Sequence, residues 1–204
     1  MTRGSSSTDA PVAEPAPSDA EIIAASQQAP VRFSEIFDRH YSEIQRYIDR
    51  RLGSSDADDI AAETFLIAFR SRARFDGTYA SARPWLYGIA TKLVSRHRRD
   101  EERRYRALTR LHTDGATEQG HEESVTSAVA AENAGLSTAL AKLSRGDRDV
   151  LLLVTLAELS YPEVAVALGI KYGTVCSRLH RAKRQIRAVL ADTYTNPLEG
   201  GGRG

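Results

Sequence analysis

From Lys171 to Arg187 the chain carries six basic residues, Lys171, Arg178, Arg181, Lys183, Arg184 and Arg187, and no acid. A solvated helix face ordinarily mixes signs, so an unmixed positive run points to a partner that brings the negative charge, and nucleic-acid phosphates do so. Val175, Leu179, Ala182, Ile186 and then Val189 or Leu190 recur every three or four residues and mark the inner face of a helix starting near 172–174. Cys176, Ser177, His180, Arg181 and Arg184 fall on the other side. Just upstream, Ser160 is placed as an N-cap with Glu163 three residues on to complete a capping box, and Pro162 sits in the first turn, where its missing N–H has no helical partner. Val164, Ala165 and Leu168 give this helix an apolar face, Gly169 supplies the left-handed residue that ends it, and Ile170 plugs the angle that follows. A capped helix, a glycine turn and a basic helix together make a helix-turn-helix, whose second helix enters a DNA major groove. A surface helix with a basic rim explains the charge but not the coincidence of all three.

Two further constellations carry chemistry. Asp56, Asp58, Asp59 and Glu63 stand at a helix start, where the macrodipole favours carboxylates. They read either as solvated, dipole-matched acids or, beside Phe65 and Phe69, as an acidic patch that meets a basic protein surface. No metal site is expected there, because no histidine is near in sequence. Farther on, Tyr79, Trp85 and Tyr87 interleave with Arg83 and Lys92. Aromatic faces beside cations hold unstacked bases, at about 1–3 kcal/mol per base. Trp85 reads more readily as core than as a stacking partner. Lys92, Arg96 and Arg99 share one helix face suited to phosphates. No Gly-rich phosphate loop, catalytic acid pair or Ser/His/Asp set appears, and His40, His97, His112, His121 and His180 are scattered. The chain is therefore read as a binding protein rather than an enzyme, with no cofactor.

The elements that position these residues are all helical, and the fold class is all-α: two small helical domains joined by a flexible linker, the second containing the helix-turn-helix. Residues 1–30, rich in Ser, Ala and Pro, bury too little to offset ordering entropy and read as disordered. Residues 31–110 form the first domain. One helix carries Phe33, Ile36, Phe37, Tyr41, Ile44, Ile48 and Leu52 and ends at Gly53; a second is capped by Asp56; a third starts near Ala82 with Trp85, Leu86, Ile89, Ala90 and Leu93 facing inward. Residues 111–128 are a polar linker, 129–193 form the second domain, and 194–204 are a glycine-rich tail. The 204 residues are 41% hydrophobic and 27% charged, and the net charge of +1 hides local segregation: residues 92–110 hold eight Lys/Arg against three acids. The single cysteine, Cys176, excludes an intramolecular disulfide and fits a reducing cytosol. With neither a signal pattern nor the roughly 20 apolar residues a membrane span needs, the chain is expected to be cytoplasmic.

Three motifs, in this order and at these separations, resemble bacterial RNA polymerase sigma factors of the sigma-70 family, extracytoplasmic-function class. They are Asp56-Ala-Asp-Asp-Ile-Ala-Ala-Glu-Thr-Phe65, Ala82-Arg-Pro-Trp-Leu-Tyr-Gly-Ile-Ala90 and Gly173-Thr-Val-Cys-Ser-Arg-Leu-His-Arg-Ala-Lys183. The resemblance implies that residues 31–110 are region 2, which docks on the β′ coiled coil of core polymerase and opens the −10 element, and that 129–191 are region 4, which docks on the β flap and reads the −35 element. It further implies polymerase contact through Asp56, Asp58, Asp59, Glu63 and Phe65. Contact with the −10 element is implied for Tyr79, Ser81, Arg83, Trp85, Lys92, Arg96 and Arg99. Contact with the −35 element is implied for Lys171, Thr174, Cys176, Ser177, Arg178, His180, Arg181 and Arg184. Core polymerase and promoter DNA are the implied partners, and an anti-sigma factor is a further candidate. Cys176 departs from the Lys or Arg common in the family; it reads as a neutral contact, with a redox role the alternative. A linker of roughly 20 residues reaches at most about 65–70 Å, two turns of B-DNA, so both heads can engage one promoter. A free-standing helix-turn-helix regulator is the competing function, but neither a heptad seam nor a ligand-pocket signature supports it.

Overall fold

In the computed structural model the described residues are 16–53, 55–112 and 128–195, with side chains described for 16–53, 55–107 and 135–191. Eight α-helices follow one another among these residues: α1 (Asp19–Ser26), α2 (Ser34–Leu52), α3 (Ala57–Ser71), α4 (Arg83–His112), α5 (Ala128–Lys142), α6 (Arg145–Thr155), α7 (Tyr161–Leu168) and α8 (Tyr172–Thr195). Helices α2–α4 pack on one another, as do α5–α8, so both expected helical units are present. The expected linker and tail lie largely outside the described residues, as do residues 1–15.

The expectation of disorder through residue 30 is corrected from residue 16 on. Ser18 caps α1 in a reciprocal box: its Oγ accepts from the Glu21 N–H at 3.3 Å and its own N–H donates to Glu21 Oε2 at 2.7 Å. Ile22 and Ile23 are fully buried, each worth about 1.5–3 kcal/mol. They are adjacent rather than spaced by three or four, so this one-sided, eight-residue helix leaves little periodic signal.

In the first unit Ile36, Ile44, Tyr47 and Ile48 of α2 and Leu86, Ala90 and Val94 of α4 sandwich the small-residue face of α3, Ala57, Ala61, Thr64 and Ala68. Tyr47 Oη lies 2.8 Å from Thr91 Oγ1, which satisfies both buried hydroxyls. In the second unit the capping box of α7 is present, with Glu163 Oε2 accepting from the N–H and Oγ of Ser160 at 2.8 and 2.6 Å. Gly169 ends that helix in the left-handed region, at φ 63°. Val175, Leu179 and Ala182 are buried against α5 and α6, and Ile170 packs at the edge of the core.

The two units are packed together, which the sequence did not indicate. Helix α4 lies against α7, and one continuous apolar cluster runs through both. Gly88 permits the approach: a Cβ there would sit 2.4 Å from the Ala167 carbonyl oxygen. Beside it the buried Arg51 of α2 donates to Asp149 Oδ1 of α6 at 2.6 Å and to Tyr47 Oη at 2.8 Å, while Arg98 donates to the Arg51 carbonyl.

Candidate nucleic-acid interface

Helix α8 presents Ser177, His180, Arg181, Arg184 and Arg187 to solvent away from the buried Val175, Leu179 and Ala182, with Lys183 exposed at the flank and Lys171 exposed just before the helix. The helix-turn-helix geometry that lays this face outward rests on the Gly169 turn and on the buried Val164 and Ala167 of α7. Ser177 Oγ donates to the Thr174 carbonyl at 3.1 Å and keeps its lone pairs outward. Cys176 is half-buried and free.

Three expected contacts are modified by the structure. Arg181 makes a two-pronged pair with Asp147 of α6, Nε at 2.9 Å and Nη2 at 2.8 Å. The Arg181 hydrogen bonds hold the Asp147 carboxyl below the usual carboxylate range, and Arg181 itself is pushed upward in turn. The acid-free run in sequence thus acquires an acid in three dimensions. Arg178, half-buried, lies over the backbone of Gly146, where a Cβ would stand 2.8 Å from its Nη1; it braces α8 on α6 and does not face outward with Ser177. The Thr174 N–H is taken by the Lys171 carbonyl at 2.9 Å, so it is not free for phosphate.

On the first unit Lys92, Arg96 and Arg99 are exposed along α4, as expected of a phosphate-facing row. Tyr79 is 41% exposed on the loop before α4. That loop is shaped by Asp76, which accepts from the Thr78 N–H at 3.0 Å and Oγ1 at 2.8 Å. Ser81 Oγ accepts from the Arg83 N–H at 3.2 Å. Trp85 packs on Phe75, ring centroids 5.1 Å apart, against the core, which agrees with the packing reading. Arg83 departs from expectation: its guanidinium is held by Glu43 at 3.0 Å and by the Ala157 carbonyl of the second unit at 3.0 Å. It closes the molecule on itself, and a base would have to compete with both acceptors.

Comparison with known proteins adds the decisive observation. Residues 36–104 match Sigma-70 region 2 and residues 134–186 match Sigma-70, region 4. RNA polymerase sigma factor YlaC of Bacillus subtilis is 32% identical over 158 residues, 75% of this chain and 88% of YlaC. The chain belongs to the sigma-70 family of RNA polymerase sigma factors, in its extracytoplasmic-function class. The ECF RNA polymerase sigma factor SigE of Mycolicibacterium smegmatis is 33% identical over 170 residues, 81% of this chain and 64% of SigE, so the chain spans just under two thirds of that relative. Among solved structures, CnrH in complex with the cytosolic domain of CnrY aligns with TM-score 0.57 and 26% identity, over 85% of this chain and 99% of CnrH.

In this sigma factor the acidic helix is arranged differently from the sequence reading. Asp59 is exposed, Glu63 half-buried, and Asp58 accepts from Tyr41 Oη at 3.2 Å. Phe65 is buried, edge-on to Phe37 and tilted against Tyr41 at centroid distances of 5.0 and 6.0 Å, and cannot meet a partner. The exposed apolar groups nearby are Phe37 and Leu66 instead. Asp56 precedes α3 but makes no side-chain capping bond; its carboxylate turns toward His97. The premise that no histidine is near these acids is therefore overturned.

A buried ionic hub was also missed. His40 Nε2 lies 2.7 Å from Asp19 Oδ2 and Nδ1 2.7 Å from Glu43 Oε1. Asp19 further accepts from the Ala82 N–H at 2.8 Å and from Arg39 at 3.2 Å, and Glu43 holds Arg83. Burial alone would lower the His40 pKa, but the two carboxylates outweigh it and raise it to about 9. Burial would raise Asp19, yet His40 and the Ala82 N–H bring it down to about 2. The hub ties α1 and α2 to the loop that leads into α4. The signal was available: His40 lies four residues from both Ile36 and Ile44, on the buried stripe.

Proposed function

We propose that the two helical units of this sigma factor divide promoter recognition between them. Region 4 reads the −35 element through α8, with Ser177 and His180 at base edges and Lys171, Lys183 and Arg184 on phosphates. Arg181 joins them once DNA competes with Asp147, and Cys176 makes a neutral contact. Region 2 engages the −10 element through Tyr79 and Ser81, with Lys92, Arg96 and Arg99 along the phosphates, while Asp59, Glu63, Phe37 and Leu66 meet the β′ coiled coil. Region 4 docks on the β flap. The observation that carries this reading is the exposed cationic face of α8, set opposite a buried Val175–Leu179–Ala182 seam. The protein acts as a binding subunit in the cytoplasm, not as an enzyme; among the described residues no helix is long and apolar enough to cross a membrane.

The closed packing of α4 on α7 must open for two DNA elements about two helical turns apart to be held by one chain. CnrH, which aligns over nearly its whole length, is in complex with the cytosolic domain of CnrY in its structure, and an anti-sigma factor bound in a comparable way is the proposed keeper of the closed form here. Run-off transcription with core polymerase over a pool of bacterial promoter fragments tests the function. Transcripts that need the protein and share two spaced elements support it; binding to a palindrome without polymerase, and no transcripts, refutes it.

A further inference from the structure

We propose that Asp56, His97 and Glu101 form a binding site for a divalent transition-metal ion of zinc's chemistry. His97 and Glu101 lie one turn apart on α4, and Asp56 reaches them from the residue preceding α3. His97 Nε2 stands 3.4 Å from Asp56 Oδ2 and 3.5 Å from Glu101 Oε1, and the three donor atoms lie within 4.8 Å of one another.

Those distances decide between two arrangements. A charge-assisted N–H···O bond closes to about 2.7–2.9 Å, as the His40 nitrogens do at 2.7 Å in the same protein. His97 Nε2 is buried and makes no hydrogen bond. Ligands bound tetrahedrally at about 2.0–2.2 Å are separated by about 3.3–3.6 Å, and the two distances from His97 Nε2 to the carboxylates, 3.4 and 3.5 Å, match that spacing. Octahedral ligation at about 2.0–2.1 Å, as magnesium requires, would bring neighbouring donors to about 3.0 Å.

Asp56 gives an independent indication. An aspartate at an N-cap ordinarily bonds the free N–H groups of the first turn, worth about 1 kcal/mol. Asp56 forgoes that bond and turns its carboxylate to His97, with Ser55 Oγ donating to the same Oδ2 at 3.2 Å. A metal–ligand carboxylate commonly carries such an outer-shell donor. Two carboxylates balance a divalent charge with an imidazole as the third donor, and the exposed Glu101 keeps the site open to solvent. Bound there, the ion joins the start of α3 to α4 and fixes the first turn of the helix proposed to dock on polymerase.

The test uses the full chain stripped with chelator. Zinc ion is titrated against a competing chromophoric chelator, and the thermal midpoint is followed in parallel. One equivalent should bind and raise the midpoint, since a ligand held by the folded state alone stabilises it. His97→Ala and Glu101→Gln should each weaken binding by at least about tenfold and remove the midpoint shift, with far-UV circular dichroism unchanged. Retention of full affinity in Glu101→Gln overturns the site, as does absence of any binding. So does loss of binding only in Cys176→Ser with His180→Ala, which would place the ion on α8. Magnesium competing as well as zinc overturns the assigned chemistry.

Discussion

Replacing Gly88 with alanine is expected to open the molecule while strengthening the unit in which the residue sits. The added Cβ would meet the Ala167 carbonyl oxygen at 2.4 Å, whereas a carbon–oxygen contact is comfortable at about 3.3–3.6 Å. Both partners are helical backbone, so no rotamer relieves the overlap and α4 and α7 must part by about 1 Å. Overpacking of this kind costs about 1–3 kcal/mol. The same parting takes the Arg51–Asp149 bond, now 2.6 Å, beyond hydrogen-bonding range and strands two charges that are buried together. Against this, Gly→Ala in a helix interior favours α4 itself by about 0.5–1 kcal/mol. A net bias of about 3 kcal/mol against the closed form is roughly a hundredfold change in its equilibrium. Small-angle scattering should report a larger radius of gyration for Gly88→Ala, and limited proteolysis should cut more readily between the units. Region 2, followed by its own thermal transition, should hold or gain stability. An unchanged radius of gyration, with the thermal profile of the parent, would refute the packing argument outright. Arg51→Met is the companion variant: it should open the same interface without adding volume.

Arg181→Ala should weaken binding to the −35 element and lower the salt dependence of binding, with little effect on assembly with core polymerase; equal loss of both would remove Arg181 from the DNA-reading set. Asp147→Asn should do the reverse, releasing Arg181 so that affinity for a −35 duplex rises, as read by fluorescence anisotropy. Asp59→Arg with Glu63→Arg should weaken capture of core polymerase while the helical signal persists, and undiminished assembly would return these acids to solvent. For the His40 hub, stability from the raised His40 is fully present below pH 6.5 and is lost as pH rises through about 9. Stability from the lowered Asp19 is present above pH 3.8 and lost as pH falls through about 2. Thermal midpoints should therefore plateau between those two unfolded values and fall by the equivalent of about 2–3 kcal/mol toward alkaline pH, and Asp19→Asn should flatten the alkaline limb.

What could be read from the sequence follows the range of the interactions involved. The helix-turn-helix was legible because its capping box, turn glycine and apolar spacing are all set within about ten residues: Ser160 with Glu163, Gly169, and Val175 with Leu179. What failed to show are contacts between residues far apart in the chain. Arg181 looked free because its acid, Asp147, lies 34 residues away, and Arg83 because its second-unit acceptor, Ala157, lies 74 away. His97 comes to Asp56 only when α3 packs on α4. Phe65 was misplaced for a different reason. Phe65, Leu66 and Phe69 share one stretch of helix, and periodicity alone does not say which edge of an apolar stripe is covered by Phe37 and Tyr41.

The long-range contacts share a consequence. Arg83 and Arg181 are cations of the kind DNA recruits, and each is already held by an acceptor of its own protein, a carbonyl across the interface between units and a carboxylate within region 4. A partner can shift such an arrangement only by the difference in its affinity for the two states. For Arg181 that difference is small, because its side chain is about half exposed and exchanges one acceptor for another in water. For Arg83 it is larger, because freeing the guanidinium also separates α4 from α7 and breaks the buried Arg51–Asp149 pair. If Arg83, once freed, joins Tyr79 and Ser81 on the −10 strand, opening and −10 engagement are coupled through region 2 rather than through the recognition helix. DNA carrying only a −35 element should bind the closed protein nearly as well as the open one, and a −10 strand should discriminate strongly between them. Anisotropy titrations of the two DNAs against the parent and Gly88→Ala measure this directly: a gain for the −10 strand that greatly exceeds the gain for the −35 duplex is required, and equal gains would show that the interface gates neither.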